Sequence, residues 1–193
     1  ILSRTTGKRL TSNQVKRLTI ADLPALGLHA DVTLSLQAHV AIIEVLQLQI
    51  AELEKRLQNK VAQEDDFKRL MTVPGIGTVL ATMIYIETGP IDRFAGPGNY
   101  ASYARCVSSE YTSNGKKKGQ GNTKNGNKYL AWAFVEAAVY STRFCPQAKR
   151  FFERKKAKAN TALAVKALAH KLARACYHIL KQREPFQMDR CFA

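Results

Sequence analysis

A long helical pattern between Asp31 and Leu70 is the feature that most restricts the fold of this 193-residue chain. Leu36, Ile43 and Ile50 recur every seven residues, and Leu46 and Leu53 lie on the alternate seam. This spacing is typical of a coiled coil. Isoleucine at one seam position and leucine at the other favour a parallel pair of helices. His39 and Lys60 also fall on the seam, so a hairpin folded within one chain stays open as the alternative. We expect self-association of two or more chains through residues 31–70.

Helical spacing returns in the second half of the sequence and predicts an all-α fold. Apolar residues at helical intervals predict helices over 99–106, 128–143, 147–157 and 160–182. Ile86, Leu163 and either Val139 or Tyr140 are expected in the core. The predicted organisation is a basic linker (1–30), a coiled-coil helix (31–70), a helical domain (71–187) and a tail (188–193). The chain starts at Ile1 and is expected to be a piece of a longer protein.

The charge of the chain is strongly uneven. Residues 105–193 contain 19 Lys or Arg and 5 Asp or Glu, a net charge of +14 out of +15 for the whole chain. A basic surface of this kind is typical of proteins that bind nucleic acid. An anionic membrane is a weaker candidate, because no apolar run approaches the roughly 20 residues that span a bilayer. We predict DNA as a partner and no membrane.

Residues 113–128, SNGKKKGQGNTKNGNK, contain five lysines and four glycines without one acid. Glycine allows backbone to approach a ligand closely, and lysine neutralises phosphate oxygens. The segment is therefore predicted to be a phosphate-binding loop, directly behind candidate hydroxyl nucleophiles at Ser109 and Ser113. A serine attacking a phosphodiester must be activated and its developing charge neutralised. The lysines meet the second requirement only.

A tight turn at Val73-Pro-Gly-Ile-Gly77 joins two helical segments. Exposed amides at a helix N-terminus bind phosphate without sequence preference. The turn resembles that of helix-hairpin-helix DNA-binding motifs, although Pro-Gly-x-Gly also serves as a plain helix connector. The predicted nucleic-acid-binding residues, from this turn, the lysine segment and two basic helices, are Gly75, Gly77, Arg105, Lys116, Lys117, Lys118, Lys124, Asn127, Lys128, Lys155 and Lys156.

Other chemistry finds little support in the residue pattern. The acids after Leu70 number seven and are scattered, whereas two-metal phosphoryl transfer needs several carboxylates at one point. His170 and His178 lie eight apart on one predicted helix, which is more typical of packing or surface residues than of metal ligands. The four cysteines have neither zinc nor disulfide spacing, which favours a reducing intracellular setting. We predict no metal site in this chain.

Several ordered motifs between residues 70 and 187 resemble the C-terminal domain of the DEDD insertion-sequence transposases, the family that includes Piv-type DNA invertases and bridge-RNA-guided recombinases. A coiled coil precedes that domain in the family, as one does here. The motifs are Val73–Thr78, Asp92–Phe94, Tyr103–Val107, Ser109–Gly115, Lys118–Gly121, Lys124–Leu130 and Lys171–Lys181.

The resemblance implies a two-part recombinase. A RuvC-like N-terminal domain would hold divalent metal, Mg²⁺, through Asp-Glu-Asp-Asp carboxylates, and the C-terminal domain would supply a serine that links transiently to DNA. The Tyr111-Thr-Ser-Asn-Gly115 segment places that role on Ser113, with Ser109 second. With the carboxylate domain absent, this chain should bind nucleic acid but not recombine it alone.

The resemblance also implies a guide RNA as partner and a cytoplasmic, nucleoid-associated location in a bacterium or archaeon. The alternative hypothesis is a helical nucleic-acid-binding module without catalysis, in which the serine is incidental. A basic coiled-coil assembly protein would explain residues 31–70 but leave the lysine segment without a role.

Overall fold

The computed structural model describes residues 2–7, 9–107, 110–120 and 125–192, and it confirms an all-α fold with one short β-hairpin. The chain divides into two compact units, residues 1–57 and 58–193. The helices and strands are α1 (Leu2–Thr6), α2 (Ser12–Arg17), α3 (Ala30–Val61), α4 (Asp65–Leu70), α5 (Thr78–Thr88), α6 (Pro97–Tyr103), β1 (Glu110–Ser113), β2 (Lys116–Gln120), α7 (Lys128–Phe144), α8 (Pro146–Lys158), α9 (Thr161–Gln182) and α10 (Met188–Phe192), with 3-10 turns at Ile20–Asp22, Pro24–Leu26 and Ile91–Arg93.

In the first unit the N-terminal segment packs on the start of α3. Leu23, Leu36 and Val40 are buried together, and Leu18 and Leu26 pack against them. Part of the heptad seam is therefore covered within the chain. Further along α3 the apolar side chains are exposed: Ile42, Val45, Leu46, Leu48, Ile50, Leu53 and Leu57.

The long helix is shorter than predicted, since α3 ends at Val61 instead of continuing to Leu70. Val61 is buried in the core of the second unit, and the chain turns after it before α4 begins. Asp65 and Asp66 occupy the first turn of α4, where acidic side chains are favoured by the positive end of the helix dipole. The six residues Asp65–Leu70 thus form a separate helix.

By length and composition alone, α3 could cross a membrane, contrary to the expectation from the sequence. Its most apolar 18 residues have a mean hydropathy of 1.4. A single helix of this kind is weak evidence for a membrane protein, because a coiled-coil helix can meet the same conditions. His39, Glu44 and Gln47 also interrupt the apolar pattern.

The second unit is built around α9, which packs against α4, α6, α7 and α8. Leu168, Leu172 and Cys176 form its buried stripe, and they meet Leu130 and Phe134 of α7 in the same core. These five side chains are fully buried. The predicted helices of this domain are confirmed to within a few residues.

Three core predictions in this domain are wrong. Ile86 and Leu163 are exposed, and so are both alternatives for one position of α7, Val139 and Tyr140, all by 38–52%. On α7 the buried positions are 130, 133, 134, 137, 138 and 141, a regular stripe that repeats every three or four residues. Positions 139 and 140 lie off that stripe. In this part of α7 the buried residues are Ala138 and Ser141, which are smaller than Val139 and Tyr140.

A buried hydrogen bond joins α5 to α6: the hydroxyls of Thr88 and Tyr100 lie 2.8 Å apart, and both residues are almost inaccessible. Burial raises the pKa of Tyr100 well above its ordinary value, so the phenol stays protonated. This pair links the two elements that lead into the hairpin.

We expect Tyr100→Phe to lower the free energy of unfolding by about 1–2 kcal/mol, because the Thr88 hydroxyl then loses its buried partner. Urea unfolding of Thr88→Val, Tyr100→Phe and the double variant would measure the coupling. The double variant should lose less than the two single losses added together. Strict additivity would contradict a shared hydrogen bond.

Candidate nucleic-acid interface

The lysine segment folds as a β-hairpin, not as the irregular loop expected. β1 and β2 pair antiparallel, with Ser113 opposite Lys116 and a register shift between Tyr111 and Thr112. Asn114 and Gly115 form the two-residue connection with φ values of 53° and 70°. A type I′ turn requires positive φ at both central residues, and Asn-Gly is its preferred pair. The Asn-Gly dipeptide was the available sequence signal for this hairpin.

The hairpin places Ser113 at the last position of β1, beside the turn. Ser113 is half-buried, whereas Lys116 and Lys118 are exposed. Within the described ranges no carboxylate pairs with these two lysines, and no hydrogen-bond partner is found for the Ser113 hydroxyl. The arrangement leaves the hydroxyl and the ammonium groups available to a ligand.

Two predicted site residues, Ser109 and Lys124, lie outside the described residues. Lys117 is described through its backbone, opposite Thr112 in the hairpin. The predicted roles of these three side chains stay predictions.

The segment that carries the hairpin is held closed at its base. The Arg105 guanidinium donates from Nε and Nη2 to the Gly126 carbonyl at 3.0 and 2.8 Å, and the Asn127 N–H donates to the Tyr103 carbonyl at 2.6 Å. Gly126 has φ +95°, and a Cβ there would collide with the Tyr103 carbonyl oxygen. Arg105 therefore has a positioning role in this structure.

Asn127 also acts within the protein. Its Oδ1 caps α7 by accepting from the N–H groups of Tyr129 and Leu130 at 2.8 and 3.0 Å. Its Nδ2 donates to Glu87 Oε2 at 2.5 Å. The next residue, Lys128, is exposed, and its ammonium lies 4.9 Å from the Tyr129 ring centroid. Asn127 orients the start of α7, and Lys128 presents a charge there.

An arginine and a tyrosine complete the base of the hairpin. The Arg93 guanidinium lies 4.6 Å from the Tyr103 ring centroid and 4.4 Å from that of Phe94. A hydrogen bond from Arg93, with a second from Asn127, lowers the pKa of Tyr103 below its ordinary value. Sequence reasoning did not select Arg93 or Glu87, and a lone Arg and a lone Glu give no pattern that could have found them.

The two glycines of the Pro-Gly-Ile-Gly turn differ in role. Gly75 has φ +88°, and a Cβ there would lie 2.5 Å from both the Ala137 carbonyl oxygen and the Ser141 nitrogen of α7. It faces α7, so its place in the structure is explained by packing. Gly77 is exposed, has open space around a would-be Cβ, and precedes α5 without a side-chain cap.

The start of α5 offers backbone donors. Its first backbone hydrogen bond runs from the Ala81 N–H to the Gly77 carbonyl, at 2.9 Å. The N–H groups at Gly77, Thr78 and Val79 precede that bond, at a helix end where an anion is favoured. Thr78 and Val79 are exposed.

Lys155 and Lys156 of α8 are exposed beside aromatic rings. The Lys155 ammonium lies 5.7 Å from the Phe151 ring centroid, and that of Lys156 lies 5.9 Å from the Phe152 centroid and 3.9 Å from a Glu153 oxygen. The sequence suggests charge on one side of α8 and aromatic rings on the other, but these contacts place Lys155 and Lys156 on the same side as Phe151 and Phe152.

The described residues near the hairpin offer few other nucleophiles or metal ligands. Burial raises the pKa of the Cys106 thiol to about 12, so this thiol is protonated at neutral pH. Over the described ranges, no group of three or more His, Cys, Asp or Glu side chains could hold a metal ion.

Comparison with known proteins shows what the second unit is similar to. Residues 67–153, from α4 into α8 and including the hairpin, match the model of the Transposase IS116/IS110/IS902 family. This part of the chain is therefore similar to transposases of that family.

Two curated proteins are similar to the chain. The transposase for insertion sequence element IS1328 of Yersinia enterocolitica is 30% identical over 142 residues, which cover 72% of this chain and 42% of that protein. A probable family 20 transposase of Pseudomonas aeruginosa is 25% identical over 103 residues, which cover 53% of this chain and 30% of that protein. The chain thus spans less than half the length of these relatives.

Proposed function

We propose that this chain is the nucleic-acid-binding and serine-bearing part of a transposase that recombines DNA. The observation that supports this best is the type I′ hairpin inside the family-matched residues, in which Ser113 pairs with Lys116, an exposed lysine of the opposite strand. In the full-length enzyme Ser113 Oγ attacks a DNA phosphorus atom and forms a transient phosphoserine link.

In that step one bond forms and one breaks. The Ser113 Oγ–P bond forms, the P–O bond to the leaving deoxyribose oxygen breaks, the serine proton passes to a base, and the leaving oxygen takes up a proton. Lys116 and Lys118 would neutralise charge that develops on the phosphoryl oxygens. Since the described residues show no hydrogen bond to Ser113 Oγ, the base would come from outside them.

The family resemblance implies that Mg²⁺, held by an Asp-Glu-Asp-Asp carboxylate set, activates the reacting oxygens when it is bound. The described residues bring no such set together. We therefore infer that this chain alone binds nucleic acid without recombining it.

Phosphate binding by the Pro-Gly-Ile-Gly turn belongs to the same proposal. The uncapped amides at Gly77, Thr78 and Val79 would contact a phosphate in the manner of a helix-hairpin-helix motif. Gly75 would contribute indirectly, by letting the turn lie against α7.

The exposed apolar residues of α3 suit a coiled coil between two copies of the chain. Ile43, Leu46, Ile50, Leu53 and Leu57 keep the alternating spacing of three and four residues, and the last four are 41–61% exposed. A homo-oligomer formed there would bring a serine of one copy to the carboxylates of another. We propose DNA and a guide RNA as the partners of the protein and no membrane. The proposed location is the cytoplasm of a bacterium or archaeon.

Nucleic-acid binding by the hairpin is tested with Lys116→Gln/Lys118→Gln. Each lost phosphate contact removes about 0.7–0.9 from the slope of log affinity against log salt, so the double variant should lose about 1.5. Fluorescence anisotropy with labelled DNA at several salt concentrations measures the slope. Lys55→Gln/Lys60→Gln on α3 removes the same charge elsewhere and serves as the control. A flat salt response of the unmodified chain would refute the proposed binding.

A further inference from the structure

A groove of about 850 Å³ runs along α9 in the second unit. α8, the segment from Glu184 to Cys191, and Cys106 with Val107 also line it. From Leu163 to Gln182 its α9 wall extends roughly 28 Å, at 1.5 Å per helical residue. Of the hairpin lysines whose side chains the structure describes, Lys116 and Lys118, neither lines the groove.

The α9 wall of the groove carries polar side chains at a constant interval. Lys166, His170, Arg174, His178 and Gln182 recur every four residues, and all five line the groove. Side chains four apart lie above one another on a helix, about 6 Å apart along its axis. That separation is comparable to the distance between neighbouring phosphates on one nucleic-acid strand.

The groove is strongly cationic. Among the described residues that line it are five cations, Lys155, Lys166, Lys171, Arg174 and Arg190, and one carboxylate, Glu184, which pairs with Arg190 at 3.1 Å. In the described parts of the chain, no carboxylate lies within ion-pair distance of the other four cations. Four positive charges therefore face the groove without compensation.

The groove also has surfaces for flat, apolar groups. The Phe151 ring lies there with the Lys171 ammonium 5.3 Å from its centroid, and Leu163 and Phe186 add apolar walls. Burial, with the charges of Arg174 and Lys171, lowers the pKa of His170, so its neutral imidazole can form hydrogen bonds at neutral pH. Cations along the backbone track and an aromatic ring beside it are typical of single-strand binding surfaces.

One end of the groove lies close to the hairpin along the chain. Val107 lines the groove, and β1 begins at Glu110. Lys166 is near enough to Cys106 to influence the pKa of its thiol. A strand lying along α9 would thus reach the base of the segment that carries Ser113.

We propose that the groove along α9 binds the sugar-phosphate backbone of a single nucleic-acid strand, with Lys166, His170, Arg174 and His178 following successive phosphates. The choice of a polynucleotide over an acidic peptide rests on the proposed function of the same domain. DNA and RNA share this backbone chemistry, and the experiment distinguishes them.

The test uses the chain with Lys166→Gln/Arg174→Gln, and Lys55→Gln/Arg56→Gln on α3 as the matched control. All four residues are at least partly exposed on helices, and glutamine keeps helix propensity. Labelled single-stranded DNA, single-stranded RNA and duplex DNA of about 20 nucleotides are titrated over a range of salt. We expect the groove variant to bind single strands about tenfold more weakly and to lose about 1.4 from the salt slope, with the control unchanged.

Histidine footprinting locates the bound strand. Diethylpyrocarbonate modification followed by mass spectrometry should show His170 and His178 protected by the oligonucleotide, whereas His29 and His39 in the first unit keep their reactivity. The unmodified chain is its own reference, so this measurement does not depend on a variant that folds.

The outcomes separate the two proposals. If the unmodified chain binds no nucleic acid, the proposed function fails and this inference fails with it. If it binds, but the groove variant matches the control and neither histidine is protected, this inference is overturned and the proposed function stands. Equal competition by polyglutamate, or an equal loss for duplex DNA, overturns the assignment to a nucleic-acid strand. If the variant loses more affinity for single-stranded DNA than for single-stranded RNA, DNA is the natural ligand of the groove; the reverse result identifies RNA.

Discussion

On the proposed function, replacing Ser113 with alanine in the full-length protein is expected to lower strand transfer at least about a thousandfold while leaving DNA binding within about twofold. A nucleophile cannot be bypassed by the groups around it, so its loss removes most of the chemical acceleration. Binding is retained because Lys116 and Lys118 keep their charges. The measurements are a recombination assay, DNA affinity, and a denaturing gel that traps protein joined to DNA.

Ser109→Ala is the matched control, because Ser109 is the second candidate on the same segment. It should keep the covalent product that Ser113→Ala abolishes. Unchanged recombination by Ser113→Ala would remove the nucleophile role from Ser113 and favour the module that binds nucleic acid without catalysis. Loss of the adduct in Ser109→Ala alone would transfer the role to that serine.

Replacing Gly75 with alanine is expected to lower the free energy of unfolding by about 3 kcal/mol, from two effects. A non-glycine residue at φ +88° is strained by about 1–3 kcal/mol. The new Cβ also meets backbone atoms of α7 at 2.5–2.9 Å, and helix backbone yields less easily than a flexible side chain. Urea unfolding followed by circular dichroism measures the change.

Gly77→Ala is the matched control for the packing effect, because it makes the same exchange at the other glycine of the turn. Gly77 has φ −93° and no atom within 4 Å of an added Cβ, so a loss below about 1 kcal/mol is expected for an exchange at this N-cap position. A loss of about 0.5 kcal/mol or less for Gly75→Ala, the size of an ordinary surface substitution, would show that α7 can move away from the turn.

The helices of the second unit could be predicted from the sequence because their apolar residues repeat every three or four positions. Leu168, Leu172 and Cys176 lie on one stripe and are buried as expected. Leu163 has the same spacing but is 52% exposed. Periodicity identifies a helix face, whereas the length of helix that is covered depends on where the neighbouring elements end.

The candidate site was predictable in its charges and only partly in its geometry. Lys116 and Lys118 are exposed, as a lysine run without acids indicates. The β-hairpin was missed, although Asn114-Gly115 is its usual signal. The sequence predicts Asn127 and Arg105 as ligand contacts; the structure shows that their side chains also cap α7 and hold Gly126, and their contact with a ligand stays a prediction. Residue type does not show which partner a polar group takes.

The sequence by itself determined the helical architecture, the concentration of positive charge after residue 105 and the position of the serine beside the lysines, because helix periodicity, net charge and adjacency along the chain are local properties. Only the tertiary structure decided that α3 ends at Val61, that Gly75 packs on α7, and that the cations of α9 line a groove. Each of these depends on contacts between segments far apart in sequence, and close packing selects among arrangements that the local pattern allows equally.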